Sequence, residues 1–126
     1  MDKKILIVDD DTHIRILLEQ TLEELESEGV ELIFAGDGKE ALETILENRP
    51  ELVFLDIMMP HMNGFDVCRE VKKNHKLNDV HIIFLTAKGQ EFDLKMADEV
   101  GGNDYMTKPF SPDELLKKAK DVLSIK

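Results

Sequence analysis

Leu52-Val53-Phe54-Leu55-Asp56 is a run of four apolar residues closed by a carboxylate. A strand with one wet face alternates polar and apolar side chains. An unbroken apolar run instead marks a strand buried on both faces, as in a parallel sheet covered by helices. Ile5-Leu6-Ile7-Val8 and Ile82-Ile83-Phe84-Leu85 share the pattern. With two weaker candidates, the predicted strands are Lys3 to Val8, Val30 to Ala35, Leu52 to Leu55, Val80 to Leu85 and Asp104 to Thr107.

Helical patterns fill the intervals. In the first, Ile14, Leu17, Leu18, Leu22 and Leu25 recur at the spacing of one buried face, with Asp11 or Thr12 placed to cap it. Asp37 and Glu40 have capping-box spacing at the start of the second. That helix would bury Ala41, Leu42, Ile45 and Leu46 and stop at Asn48-Arg49-Pro50. A third is expected from about Gly64 to Asn74, burying Phe65, Cys68 and Val71. The fourth should run from about Gln90 to Val100, closed by the left-handed conformation that Gly101-Gly102 supply. Ser111, Pro112 and Glu114 read as N-cap, N1 and N3 of the last, followed by Leu115, Leu116, Ala119, Val122 and Leu123. This (βα)5 order predicts an open, doubly wound α/β fold with a five-stranded parallel sheet and right-handed crossovers; a closed barrel needs eight units.

The chain of 126 residues fits a single domain spanning 1–126. It carries 27 Asp and Glu against 16 Lys and Arg, a net charge of −11. Such a surface repels phosphate backbones and anionic lipid, which argues against direct nucleic-acid or membrane binding. The four apolar residues after Met1-Asp2-Lys3-Lys4 are too few for a signal peptide, so a cytoplasmic location is expected. The single cysteine, Cys68, reads as a small core residue. His13, His61, His75 and His81 form no ligand pair and read as solvated; Lys117, Lys118 and Lys120 read as the wet face of the last helix.

In open α/β sheets, ligands bind outside the carboxyl ends of the strands. At those positions stand Asp9 and Asp10, Asp56, Thr86 and Lys108, far apart in sequence but brought to one edge by the fold. Two carboxylates about 4 Å apart repel by roughly 4 kcal/mol at an effective dielectric near 20, so three of them require a cation or protons. An all-oxygen set without Cys or His suits Mg²⁺, whose charge together with that of Lys108 balances three aspartates. The chemistry indicated is phosphoryl transfer to a carboxylate, with the Lys108 ammonium and the Thr86 hydroxyl meeting the phosphoryl oxygens.

The segments ILIVDDD (residues 5–11), LVFLDIMMPHMNG (52–64), IIFLTAK (82–88) and DYMTKPF (104–110) resemble the four signature blocks of bacterial response-regulator receiver domains, chemotaxis-regulator-like proteins of two-component signalling. The resemblance spans Lys3 to Leu123. It implies a flavodoxin-like sheet in the order 2-1-3-4-5. It also implies that Asp56 accepts a phosphoryl group from a sensor histidine kinase or histidine phosphotransfer domain. Asp9, Asp10, Asp56 and the Met58 backbone carbonyl would hold Mg²⁺; Lys108, Thr86 and the Ala87 backbone N–H would contact the phosphoryl group. Thr86 and Tyr105 would form the switch, Lys108-Pro109 would be cis, and Met58 and Lys88 would tune phosphoryl lifetime. Where the family often has Ala-Asp, this chain has Gly102-Asn103, expected to loosen a loop without touching the chemistry.

Each residue also has an ordinary alternative: a solvated helix start at Asp9 to Asp11, which is the reading taken for Asp11, a turn at Asp56, a strand end at Thr86, a core aromatic at Tyr105. In the first helix Ile16 lies opposite the Ile14-Leu18 face, so apolar surface should stay exposed beside the acidic site, where a kinase's histidine-bearing helices could dock. The receiver reading is that of a signalling switch rather than an enzyme. A haloacid-dehalogenase-type phosphatase, whose motif Asp9-x-Asp11 imitates, and a pseudo-receiver that binds partners without phosphorylation are the competing functions. Five βα units use the whole length, so the chain is expected to act through partners.

Overall fold

The computed structural model describes residues 3–87 and 93–125. Its strands are β1 (Lys3–Val8), β2 (Val30–Ala35), β3 (Leu52–Asp56), β4 (His81–Ala87) and β5 (Asp104–Lys108). The helices are α1 (Thr12–Leu22), α2 (Gly38–Asn48), α3 (Gly64–Arg69), α4 (Leu94–Glu99) and α5 (Pro112–Leu123). The sheet is parallel throughout, ordered β2-β1-β3-β4-β5.

Alternation along the strands divides the core into two layers. Leu6, Val8, Val53, Leu55, Ile82 and Phe84 face Ala41, Ile45, Val67, Cys68, Val71 and Ala97. Ile5, Ile7, Leu52, Phe54, Ile83 and Leu85 face Leu18, Leu22, Leu115, Ala119 and Leu123. Both faces are therefore dry, and each large apolar side chain buried there contributes about 1.5–3 kcal/mol of transfer free energy.

Capping follows the sequence closely. Asp11 accepts from the His13 N–H, and Asp37 and Ser111 accept from the N–H groups of Glu40 and Glu114. The return bond from Glu40 reaches the Gly36 N–H, one residue before the N-cap, so the expected box is skewed. A complete capping box instead opens α3, where Asn63 and Asp66 exchange hydrogen bonds.

Several expectations need correction. Leu17 is 38% exposed, because it lies at the margin of the Leu18-Leu22 stripe, and Ile14 is only half-buried. α1 ends at Leu22 and continues as a 3₁₀ segment, Glu23–Glu28, which still buries Leu25. α3 gives way at Glu70 to a π-helical turn through Asn74, and Val67 is buried more deeply than Phe65, whose ring meets Phe84 edge-on. α4 begins at Leu94 under an Asp93 cap; the expected start at Gln90 lies outside the described residues. Gly101 has the left-handed φ of +88°, but Gly102 serves another purpose. A Cβ there would stand 2.3 Å from Phe84 Cε2, so close packing rather than loop freedom accounts for the glycine.

Asn103 likewise ties the loop down: its Oδ1 accepts from the Ile82 N–H and from Lys72 Nζ. His81 is half-buried on β4, with burial and the charge of Lys72 lowering its pKa, against the pull of Asp104. Lys118 and Lys120 are ion-paired with Asp104 and Glu24, so they are not merely a wet face. Cys68 is core as expected, and burial pushes its thiol up to about 12. Among the described residues no helix is long and apolar enough to cross a membrane.

Candidate functional site

The direction in which successive strands are added reverses at β1: β2 lies to one side of it, β3, β4 and β5 to the other. That switch point leaves a crevice at the carboxyl ends of the strands. Val8 pairs with Leu55, so the next residue on each strand sets Asp9 beside Asp56. Asp56 in turn pairs with Leu85, one residue before Thr86, and Ala87 pairs with Lys108. Backbone register alone thus gathers the set expected from the sequence.

Asp9 is fully buried, Asp56 nearly so, and Asp10 is exposed at the rim. One carboxylate oxygen from each lies within 4.8 Å of the others. Lys108 Nζ donates to Asp9 Oδ2 at 3.0 Å and to Asp56 Oδ1 at 3.5 Å, bridging the two buried acids. Backbone N–H groups hold the carboxylates in place: Asp11 donates to Asp9 at 2.9 Å and Met58 to Asp56 at 3.3 Å. Gly64 closes the loop behind, since a Cβ there would stand 2.5 Å from the Asp56 carbonyl oxygen.

The electrostatics are strained on the acid side. Burial, then the charge of Asp9, raises the Asp56 carboxyl from 3.8 to about 6, although Lys108 and the Met58 N–H oppose the rise. Burial alone would depress the Lys108 ammonium, but the hydrogen bond and charge of Asp9, with Asp56 behind it, raise its pKa. Among the described residues Lys108 is the one ammonium that meets these acids, which leaves the cluster with excess negative charge. This hard, all-oxygen donor set could hold a divalent cation.

Thr86 Oγ1 is buried beside this cluster without a hydrogen-bond partner among the described residues. An unpaired buried hydroxyl costs about 1–3 kcal/mol and in a native structure calls for an explanation. Tyr105, on the neighbouring strand, is 41% exposed, so it is not a core aromatic. Lys108-Pro109 is cis. Lys88 lies outside the described residues.

Residues 5–120 match the response regulator receiver domain family. This chain belongs to that family. It is 42% identical to the alkaline phosphatase synthesis transcriptional regulatory protein PhoP of Bacillus subtilis over 123 residues, 98% of this chain and 49% of the relative. The receiver thus spans about half the length of that curated relative. Among solved structures it resembles the REC domain of AraT, a response regulator from Geobacillus stearothermophilus, with a TM-score of 0.87 and 30% identity over 98% of this chain and 95% of that one. It also resembles the chemotaxis response regulator CheY4 of Vibrio cholerae, with a TM-score of 0.83 and 31% identity over 97% and 99%. The receiver is a component of two-component signalling, and the flavodoxin-like sheet order agrees with the family fold.

Sequence reasoning missed the supports of the receiver site. The Asp9-Lys108 pair joins residues 99 positions apart and leaves no local pattern. The Asn63 cap and the Gly64 close approach were present in the sequence as Asn-Gly at a helix start.

Proposed function

We propose that Asp56 accepts a phosphoryl group from phosphohistidine on a sensor histidine kinase or histidine phosphotransfer domain, in a Mg²⁺-dependent reaction. The observation that carries this reading is the convergence of the Asp9, Asp10 and Asp56 carboxylates around the Lys108 ammonium, next to a Thr86 hydroxyl that has no partner among the described residues. Asp9, Asp10, Asp56 and the Met58 carbonyl would hold Mg²⁺. When bound, the ion supplies countercharge to the transferring phosphoryl oxygens.

Asp56 supplies the nucleophilic carboxylate oxygen, and burial reduces competing water around it. Lys108 moves its charge from the carboxylates toward the incoming oxygens, from a position already fixed by Asp9. The Ala87 N–H and Thr86 hydroxyl donate to the phosphoryl group, so Thr86 acquires the partner it lacks among the described residues. A phosphoryl charge of about −2 at Asp56 draws Thr86 inward, and the Tyr105 ring follows into the space behind it. The face formed by α4, β5 and α5 then changes its affinity for an output protein or a fused output domain. Neither nucleic acid nor membrane is a direct partner, and the location is cytoplasmic. The chain promotes its own aspartyl phosphorylation and dephosphorylation as a switch.

Incubation with acetyl phosphate tests this reading. Label should require Mg²⁺ and vanish in Asp56→Asn. Label that persists in Asp56→Asn but is lost in Asp9→Asn would point to the phosphatase chemistry instead, and no label in any variant would leave a pseudo-receiver.

A further inference from the structure

Met58 is 64% exposed, while Met59 and Met106 are buried and Met62 and Met96 half-buried. Among the described methionines its thioether is the most open to a solution oxidant. It also stands at the mouth of the acidic site, two residues after Asp56, whose Oδ1 its own backbone N–H holds at 3.3 Å. Burying an apolar side chain is the usual reason for a methionine, and this one is not buried. Its exposed side chain is carried on the loop whose backbone holds Asp56.

We infer that Met58 is a reversible oxidation site through which peroxide-class oxidants shorten the life of the phosphoryl group on Asp56. The inference rests on Asp56 being the phosphoryl acceptor. In the step, a sulfur lone pair attacks one peroxide oxygen, the O–O bond breaks and an S–O bond forms. After proton transfer, water leaves. Sulfur is oxidised by two electrons and the peroxide is reduced by two, so no further reagent is needed.

The product replaces an apolar end with a strongly polar, hydrogen-bond-accepting S=O group. At the rim of Asp56 that oxygen can accept a hydrogen bond from the water that attacks the acyl phosphate. One such bond of ordinary strength corresponds to a rate increase of about fivefold. The buried Met59 and Met106 thioethers are shielded by the core, and Met96 Sδ already accepts from Arg69. Mild oxidant should therefore modify Met58 before the other described methionines.

The test treats the intact chain with dilute hydrogen peroxide and locates the added oxygen by peptide mass spectrometry. Phosphorylation with acetyl phosphate and Mg²⁺ then allows the loss of acyl phosphate to be timed. Oxygen is expected on Met58 ahead of Met59, Met62, Met96 and Met106, with decay faster by about fivefold and restored by methionine sulfoxide reductase. Met58→Leu, whatever its own basal lifetime, should show no change on peroxide treatment, and Met58→Gln should show faster decay without peroxide. Preferential oxidation of Met59, Met62, Met96 or Met106 overturns the inference, as does normal Asp56 labelling whose lifetime ignores oxidation of Met58. Absence of Mg²⁺-dependent label in the untreated chain overturns the underlying assignment of Asp56 and the inference with it. The peptide map still reports separately whether Met58 is the oxidised residue.

Discussion

At the scale of single residues, Asp56 carries an energetic cost that the proposed phosphorylation chemistry would use. Its folded-state pKa of about 6 lies above the usual 3.8, so between these values the folded chain holds a proton that the unfolded chain has released. Stability from this group is therefore greatest toward pH 4, falls as pH rises to about 6, and levels off above it, a loss of about 3 kcal/mol. Asp56→Asn should flatten that slope and stabilise the metal-free chain at neutral pH by about 2–3 kcal/mol. Urea unfolding in chelator across this pH range measures both effects; parallel curves for the two proteins would refute the burial argument.

Glycines make a second residue-scale prediction. Gly64→Ala forces a Cβ to within 2.5 Å of the Asp56 carbonyl and should cost about 1–3 kcal/mol while slowing labelling of Asp56. Gly36→Ala meets nothing closer than Arg15 Nη1 at 3.7 Å and should stay within about 0.5 kcal/mol of the parent. Thermal melts of the pair, read beside labelling rates, separate a local clash from a general intolerance of alanine.

Elements explain where the sequence was legible and where it was not. The apolar runs of β1, β3 and β4 identified themselves because both faces of each strand are dry, and the α5 start did so through Ser111, Pro112 and Glu114. Leu17 was misread because an 11-residue helix leaves wide margins on its apolar stripe, and tertiary packing decides which margin is covered. The π turn after Arg69 had no signature, since His75 reaches Glu70 through a backbone bond that no side chain announces. Asn103, expected to be a mere loop residue, is fixed by Lys72 and Ile82 from two different elements.

The exposed ridge of α1 follows from the same geometry. Ile16 and Leu17 stand open to solvent on the helix that starts directly after Asp9 and Asp10. A histidine kinase docking there should lose affinity when they are changed to Gln, whereas acetyl phosphate, which needs no docking surface, should label the double variant at the parent rate. Equal losses with both donors would place the ridge in the chemistry rather than in recognition.

For the whole molecule, the net charge of −11 separates into a solvated excess over the helices and a concentrated excess at the β1-β3 switch point. The location of that second excess was legible, because sheet topology carries every strand end to one edge. Its support was not, because the Asp9-Lys108 contact exists only once the first and last strands share a sheet. Mg²⁺ binding to the folded chain alone should raise the melting temperature with concentration, following mass action, and Asp56→Asn should reduce that response.

On the proposed function, Asp56 rather than Asp9 forms the acyl phosphate. This assignment is tested most directly by treating the chain with acetyl phosphate and Mg²⁺, reducing the acyl phosphate with borohydride and sequencing the peptides by mass spectrometry. Homoserine is expected at position 56, with aspartate retained at position 9. Homoserine at position 9, or none at either position, would contradict it.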